Sequence, residues 1–86
     1  MLSLTQHAKE KLSIYGIAET EFEDGFDEVI FDCEDVIEKS EIKVIEIQKI
    51  FFVEVISVDT NKIITIYRTD YITIENRRRT GRWICH

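Results

Sequence analysis

Three segments rich in β-branched and aromatic residues follow one another between residues 42 and 67: IKVIEI, IFFVEVISV and KIITIY. Ile, Val, Phe and Tyr fit a pleated, largely buried surface better than a helix, so each segment is expected to be a strand. Asp59-Thr60-Asn61 carries turn chemistry, which predicts an antiparallel hairpin of residues 50–58 and 62–69. Gln48-Lys49 is a weaker turn signal that separates a further strand, 42–47, from this hairpin. The chain has 86 residues; at that size only about 60% of the unfolded surface is buried, so these strands and everything else must share one domain. Its 44% hydrophobic and 33% charged residues are a globular composition rather than a disordered one.

Before the strands the apolar period is helical. Leu4, Ala8, Leu12 and Tyr15 fall on one face of a helix over about 4–15, with Ser3 or Thr5 as cap and Gly16 as left-handed stop. Phe22, Phe26, Val29 and Ile30 recur at i, i+4, i+7 and i+8, predicting a second helix over 18–30 whose remaining surface is acidic and which Gly25 weakens. Residues 31–40 are either an irregular connection or a first strand. The last seventeen residues are also open: Asp70 could cap a short helix ending at Gly81, or YITIENRRR and RWICH could be two strands. The β-branched content of YITI favours a strand over 71–75. Helices followed by strands give an α+β domain, here two N-terminal helices packed on one face of a three- to five-stranded antiparallel sheet.

Charge is unevenly distributed. The net charge is -6, yet residues 61–86 hold six basic residues against two acids. Such asymmetry suggests an anionic ligand for one face, an acidic partner protein, or internal matching between the two parts of the chain. No apolar run approaches the roughly 20 residues of a membrane span, and MLSLTQHAKEKL lacks signal-peptide order, so a cytoplasmic protein is expected. In that compartment Cys33 and Cys85 are expected to be free thiols. Cys85 and His86 are adjacent, unlike the ligand spacing of structural zinc sites, and neither a metal nor another cofactor is expected.

LTQHAKEKLSIYGI resembles the opening of an uncharacterised bacterial family that begins with a Ser/Thr-x-His-Ala helix, carries a basic residue one turn later and passes through Gly-Ile into a second helix. IITIY, residues 63–67, resembles that family's late strand. The family is grouped with the BrnT and RelE toxins, small α+β proteins many of which cleave RNA without a metal and are neutralised by an antitoxin. The shared positions are His7, Ala8, Lys11, Gly16, Ile17, Thr65 and Tyr67. The chain departs from the pattern in carrying Lys11 and Tyr15 where arginines are common, and in being acidic.

Metal-free RNA cleavage needs a base for the 2′-hydroxyl, an acid for the leaving oxygen and cations for the phosphate. His7, Tyr67, Arg68 and Arg78 are the candidate catalytic residues, with Glu75 as an alternative base. Lys11, Arg77, Arg79, Arg82 and Trp83 are the candidate nucleic-acid contacts, since arginine pairs bidentately with phosphate and tryptophan can stack a base. Each has a plainer reading: Tyr67 as packing at the edge of the core, Arg77–Arg79 as a solvated basic face, Trp83 as an anchor for the tail. Two further classes fit the same residues. One is a small acidic protein-binding module, such as a phage or mobile-element accessory or inhibitor protein, using Glu21, Asp24 and Glu28 against a basic partner. The other is a homodimer joining this acidic face to the arginine tail.

Overall fold

The computed structural model describes residues 3–26 and 29–86, with side chains described over 3–22 and 29–86. Met1, Leu2, Asp27 and Glu28 lie outside the described residues, as do the side chains of Glu23, Asp24 and Phe26. The elements, in order, are β1 (Ser3–Leu4), α1 (Gln6–Ile14), α2 (Glu19–Phe26), β2 (Val29–Asp35), β3 (Ser40–Ile47), β4 (Ile50–Ile56), β5 (Lys62–Thr69), α3 (Tyr71–Arg79) and β6 (Trp83–Cys85). They form a six-stranded sheet in the order β1-β5-β4-β3-β2-β6.

This corrects the expected architecture. The sheet has six strands rather than three to five, and it is mixed: β1 runs parallel to β5, while the other pairs are antiparallel. The sheet is also covered on both faces rather than one. On the first, Ala8 and Leu12 of α1 and Phe22 of α2 pack on Ile45, Phe52, Ile56, Ile63 and Ile66. On the second, Ile74 of α3 packs with Trp83, Cys33, Ile42, Val44 and Val53, and Tyr67 borders this cluster.

Local chemistry explains the boundaries. Thr5 rather than Ser3 caps α1, its hydroxyl accepting from the Ala8 N–H at 3.2 Å. That leaves Ser3 and Leu4 to pair with Lys62 and Ile63. Gly16, at φ 71°, ends α1 with the Gly16 N–H on the Ser13 carbonyl and the Ile17 N–H on the Leu12 carbonyl, a Schellman closure. The helix expected to reach residue 30 stops at Phe26, and Val29 begins a strand that continues through Asp35. The β-branched pair Val29-Ile30 leads into Phe31, which suits a ladder with β3 better than another helical turn. Over 71–75 the expected strand is instead the first half of α3. There Asp70 accepts from the Thr73 N–H at 2.7 Å, and Arg77, Arg78 and Arg79 occupy the last turn, where cations oppose the negative end of the helix dipole.

Cys33 and Cys85 are joined in a disulfide, not free, because β2 and β6 place them opposite one another. The bond closes a separation of 52 residues; restraining the unfolded chain over such a loop stabilises the fold by about 4 kcal/mol. Reduction is therefore expected to move the urea midpoint down by an amount matching that loss, measured with and without a thiol reductant at fixed pH. Among the described residues no helix is long and apolar enough to cross a membrane, and no group of three or more His, Cys, Asp and Glu could hold a metal ion.

Candidate functional site

Two arginines of the C-terminal segment, Arg78 and Arg82, are engaged within the chain. Arg78 Nη1 lies 2.8 Å from Glu75 Oε1, and its guanidinium stacks 4.8 Å from the Phe31 ring centre. Arg82 Nε donates to Asp35 Oδ2 at 3.2 Å, and its Nη2 reaches Glu38 at 4.0 Å. Asp35 is the hub of this region and is only 4% exposed. Its Oδ1 accepts the N–H groups of Ile37 and Glu38, both at 3.0 Å, and its Oδ2 accepts the Trp83 indole N–H at 3.2 Å. Burial alone would raise the Asp35 pKa, but the Glu38 and Ile37 N–H groups, the Trp83 indole and the Arg82 charge together hold it below its ordinary value.

Trp83, buried and tied to Asp35, is an anchor of the tail and has no face to offer a base. Tyr67 is half-buried against the second core cluster, and burial raises its pKa despite the opposing charges of Arg77 and Arg82. Arg77 and Arg82 therefore do lie within electrostatic reach of Tyr67, but beside a filled core. Arg79 is exposed, with no ion pair among the described residues.

His7 and Lys11 belong to the other face. They stand one turn apart on α1, outside the line of Ala8 and Leu12 that packs on the sheet. Lys11 Nζ sits 5.5 Å from the centre of the Tyr15 ring, one turn further on, in a cation–π contact. The Tyr15 hydroxyl accepts the Arg68 backbone N–H at 3.3 Å, and its ring meets Phe52 edge-on at 5.4 Å. Arg68 is opposite Phe52 in the β4–β5 register, which sets it on the same face of the sheet as α1.

Of the four candidate catalytic residues, then, the fold places His7 and Arg68 on one face of the sheet and Tyr67 and Arg78 on the other. Of the candidate nucleic-acid contacts, only Lys11 joins His7 and Arg68. Glu75, the alternative base, faces Arg78 and is likewise remote from His7. Tyr15, expected on the apolar face of the helix and at a position where the resembled family often has arginine, links Lys11 to β5. The signal for that was its four-residue spacing from Lys11, and eight-residue spacing from His7. Comparison with protein-family models, with curated proteins and with solved structures returns no match.

Proposed function

We propose that the face formed by α1 and the end of β5 binds single-stranded RNA and cleaves it without a metal. The observation that carries this reading is the alignment of His7, Lys11 and Tyr15 at successive turns of α1, with Tyr15 in contact with β5 at Arg68. Lys11 and Arg68 would hold adjacent phosphates, the Tyr15 ring fixing the lysine stem. His7 would accept the 2′-hydroxyl proton as that oxygen attacks phosphorus. The bond to the 5′ oxygen breaks, that oxygen takes a proton from solvent, and a cyclic phosphate remains. The resemblance to RelE- and BrnT-type proteins supports the same face through His7 and Lys11.

The net charge of -6 opposes long-range attraction of RNA, so affinity has to come from these local contacts. With two phosphates held, the logarithm of affinity is expected to fall against the logarithm of salt with a slope of about -1.4. On a labelled single-stranded RNA, His7→Ala is expected to lower the cleavage rate by about 100-fold or more while leaving binding nearly intact. Lys11→Ala should weaken binding itself. Cleavage undiminished in His7→Ala, or a flat salt response, overturns the proposal.

A further inference from the structure

The two edges of the sheet are treated differently by the fold. At the β5 edge, β1 pairs with Lys62 and Ile63, the Thr5 hydroxyl donates to the Ile64 carbonyl at 2.9 Å, and the Tyr15 hydroxyl takes the Arg68 N–H. These contacts occupy the outer side of β5 at Lys62–Ile64 and at Arg68. At the opposite edge β6 is last in the order, and among the described residues β2 is its one strand neighbour. The Arg82 carbonyl accepts the Val36 N–H at 3.0 Å and the His86 N–H donates to the Asp32 carbonyl at 2.9 Å. Alternate residues of an antiparallel strand turn their backbone groups to the same side. Arg82, Ile84 and His86 therefore face β2, while Trp83 and Cys85 turn their N–H and C=O groups to the open side.

A groove of about 520 Å³ runs along this edge, between β6 and α3, lined by Glu75, Arg78, Arg79, Trp83, Ile84 and Cys85 among others. Its two arginines outweigh the one carboxylate. Ile84, 51% exposed, points to the opposite side of the sheet from Trp83 and Cys85, which pack toward α3.

We propose that β6 receives an extended acidic segment of another protein as a seventh strand. Backbone pairing with Trp83 and Cys85 supplies the attachment, as in other additions to an open sheet edge. The alternation of a strand supplies the selection: acidic side chains at every second position meet Arg78 and Arg79, and the apolar ones between them lie beside Ile84. A second copy of this chain is a poor occupant, because pairing β6 with β6 about a two-fold axis brings like arginines together. This site is separate from the His7 face and does not depend on it.

The test uses a blocked hexapeptide of alternating glutamate and valine, the same peptide with lysine for glutamate, and a third N-methylated at every second amide in both alternating frames. Binding is followed by calorimetry and by amide resonances of the intact protein. The glutamate peptide is expected to bind saturably, shift the Trp83 and Cys85 amides and slow their exchange with solvent. Arg79→Glu, on an exposed side chain, should weaken it by about tenfold with an unchanged circular dichroism spectrum. The lysine peptide should not bind, and methylation in the frame that faces β6 should abolish binding. Equal binding of the lysine peptide, indifference to methylation in both frames, or shifts confined to the α1 face overturn the proposal. So does protection of the same two amides by self-association in the absence of peptide. Loss of RNA cleavage in His7→Ala would leave all of these results unaffected.

Discussion

Asp35→Ala is expected to lower the unfolding free energy by about 3–5 kcal/mol, since it strands the Arg82 guanidinium and the Trp83 indole beside an emptied site. Two turn N–H groups, of Ile37 and Glu38, lose their acceptor at the same time. The pH dependence follows from the direction of the shift. Asp35 has a folded pKa below its ordinary value of 3.8, so its contribution is present above that value and disappears as the pH falls through the lower, folded pKa. Denaturant titration of the wild type and Asp35→Ala at neutral pH and near pH 2 should therefore show a wide gap that narrows in acid. A gap independent of pH would mean that shape, and not the carboxylate, holds the β2–β3 turn to β6.

Glu54→Met is expected to act in the opposite direction. Glu54 sits in the middle of the sheet, on the face under α1 and α2, fully buried, and neither carboxyl oxygen has a hydrogen-bond partner among the described residues. Burial raises its pKa from 4.5 to about 8, against a smaller opposing effect of the Lys43 charge. The folded protein then binds a proton that the unfolded chain releases across this interval. The Glu54 contribution to stability is thus fully present below about 4.5 and is lost as the pH rises from about 4.5 to about 8, by an amount on the order of a few kcal/mol. Methionine keeps the length of the side chain and removes the charge. The variant should lose that slope and melt about 10 °C or more higher at pH 8. Glu54→Gln separates the two causes: it removes the titration but keeps a buried amide in want of partners. If Glu54→Met retains the wild-type slope between pH 5 and pH 8, the titrating group lies elsewhere.

The central meander was legible because its information is local. Alternation and β-branching mark β3, β4 and β5, and even the weak turn at Gln48-Lys49 is real, both residues taking positive φ of 53° and 65° without a glycine. The tail was less legible because two local signals compete in it. Tyr71, Ile72, Thr73 and Ile74 read as strand by propensity, while Asp70 offers a cap and three arginines complement a helix end. Burial of Ile74 against the far face of the sheet favours the helix, and that face cannot be seen from the segment itself. The arginines were only partly legible for a related reason. Their concentration left an anionic ligand, an acidic partner and internal matching equally open, and two of them have internal partners: Arg82 meets a carboxylate 47 residues earlier and Arg78 one only three residues away. Internal matching between the two parts of the chain, one of the readings of the charge asymmetry, describes the Arg82–Asp35 contact. The grouping of His7 with Lys11 follows from helical spacing alone, whereas the separation of His7 from Tyr67 depends on which way β5 turns its side chains.

The placement of β1 and β6 at the two borders of the sheet has a kinetic consequence. From β2 to β5 each strand hydrogen-bonds to the next, so that part can assemble through short loops. The borders are different: Ser3 must find Lys62, and Cys33 must find Cys85, across most of the chain. Contacts of such long separation form late, after the loops that precede them have closed. The surfaces proposed for RNA and for an acidic strand both sit at those borders, so a chain still emerging from synthesis would acquire its rigid middle before it could recognise either ligand.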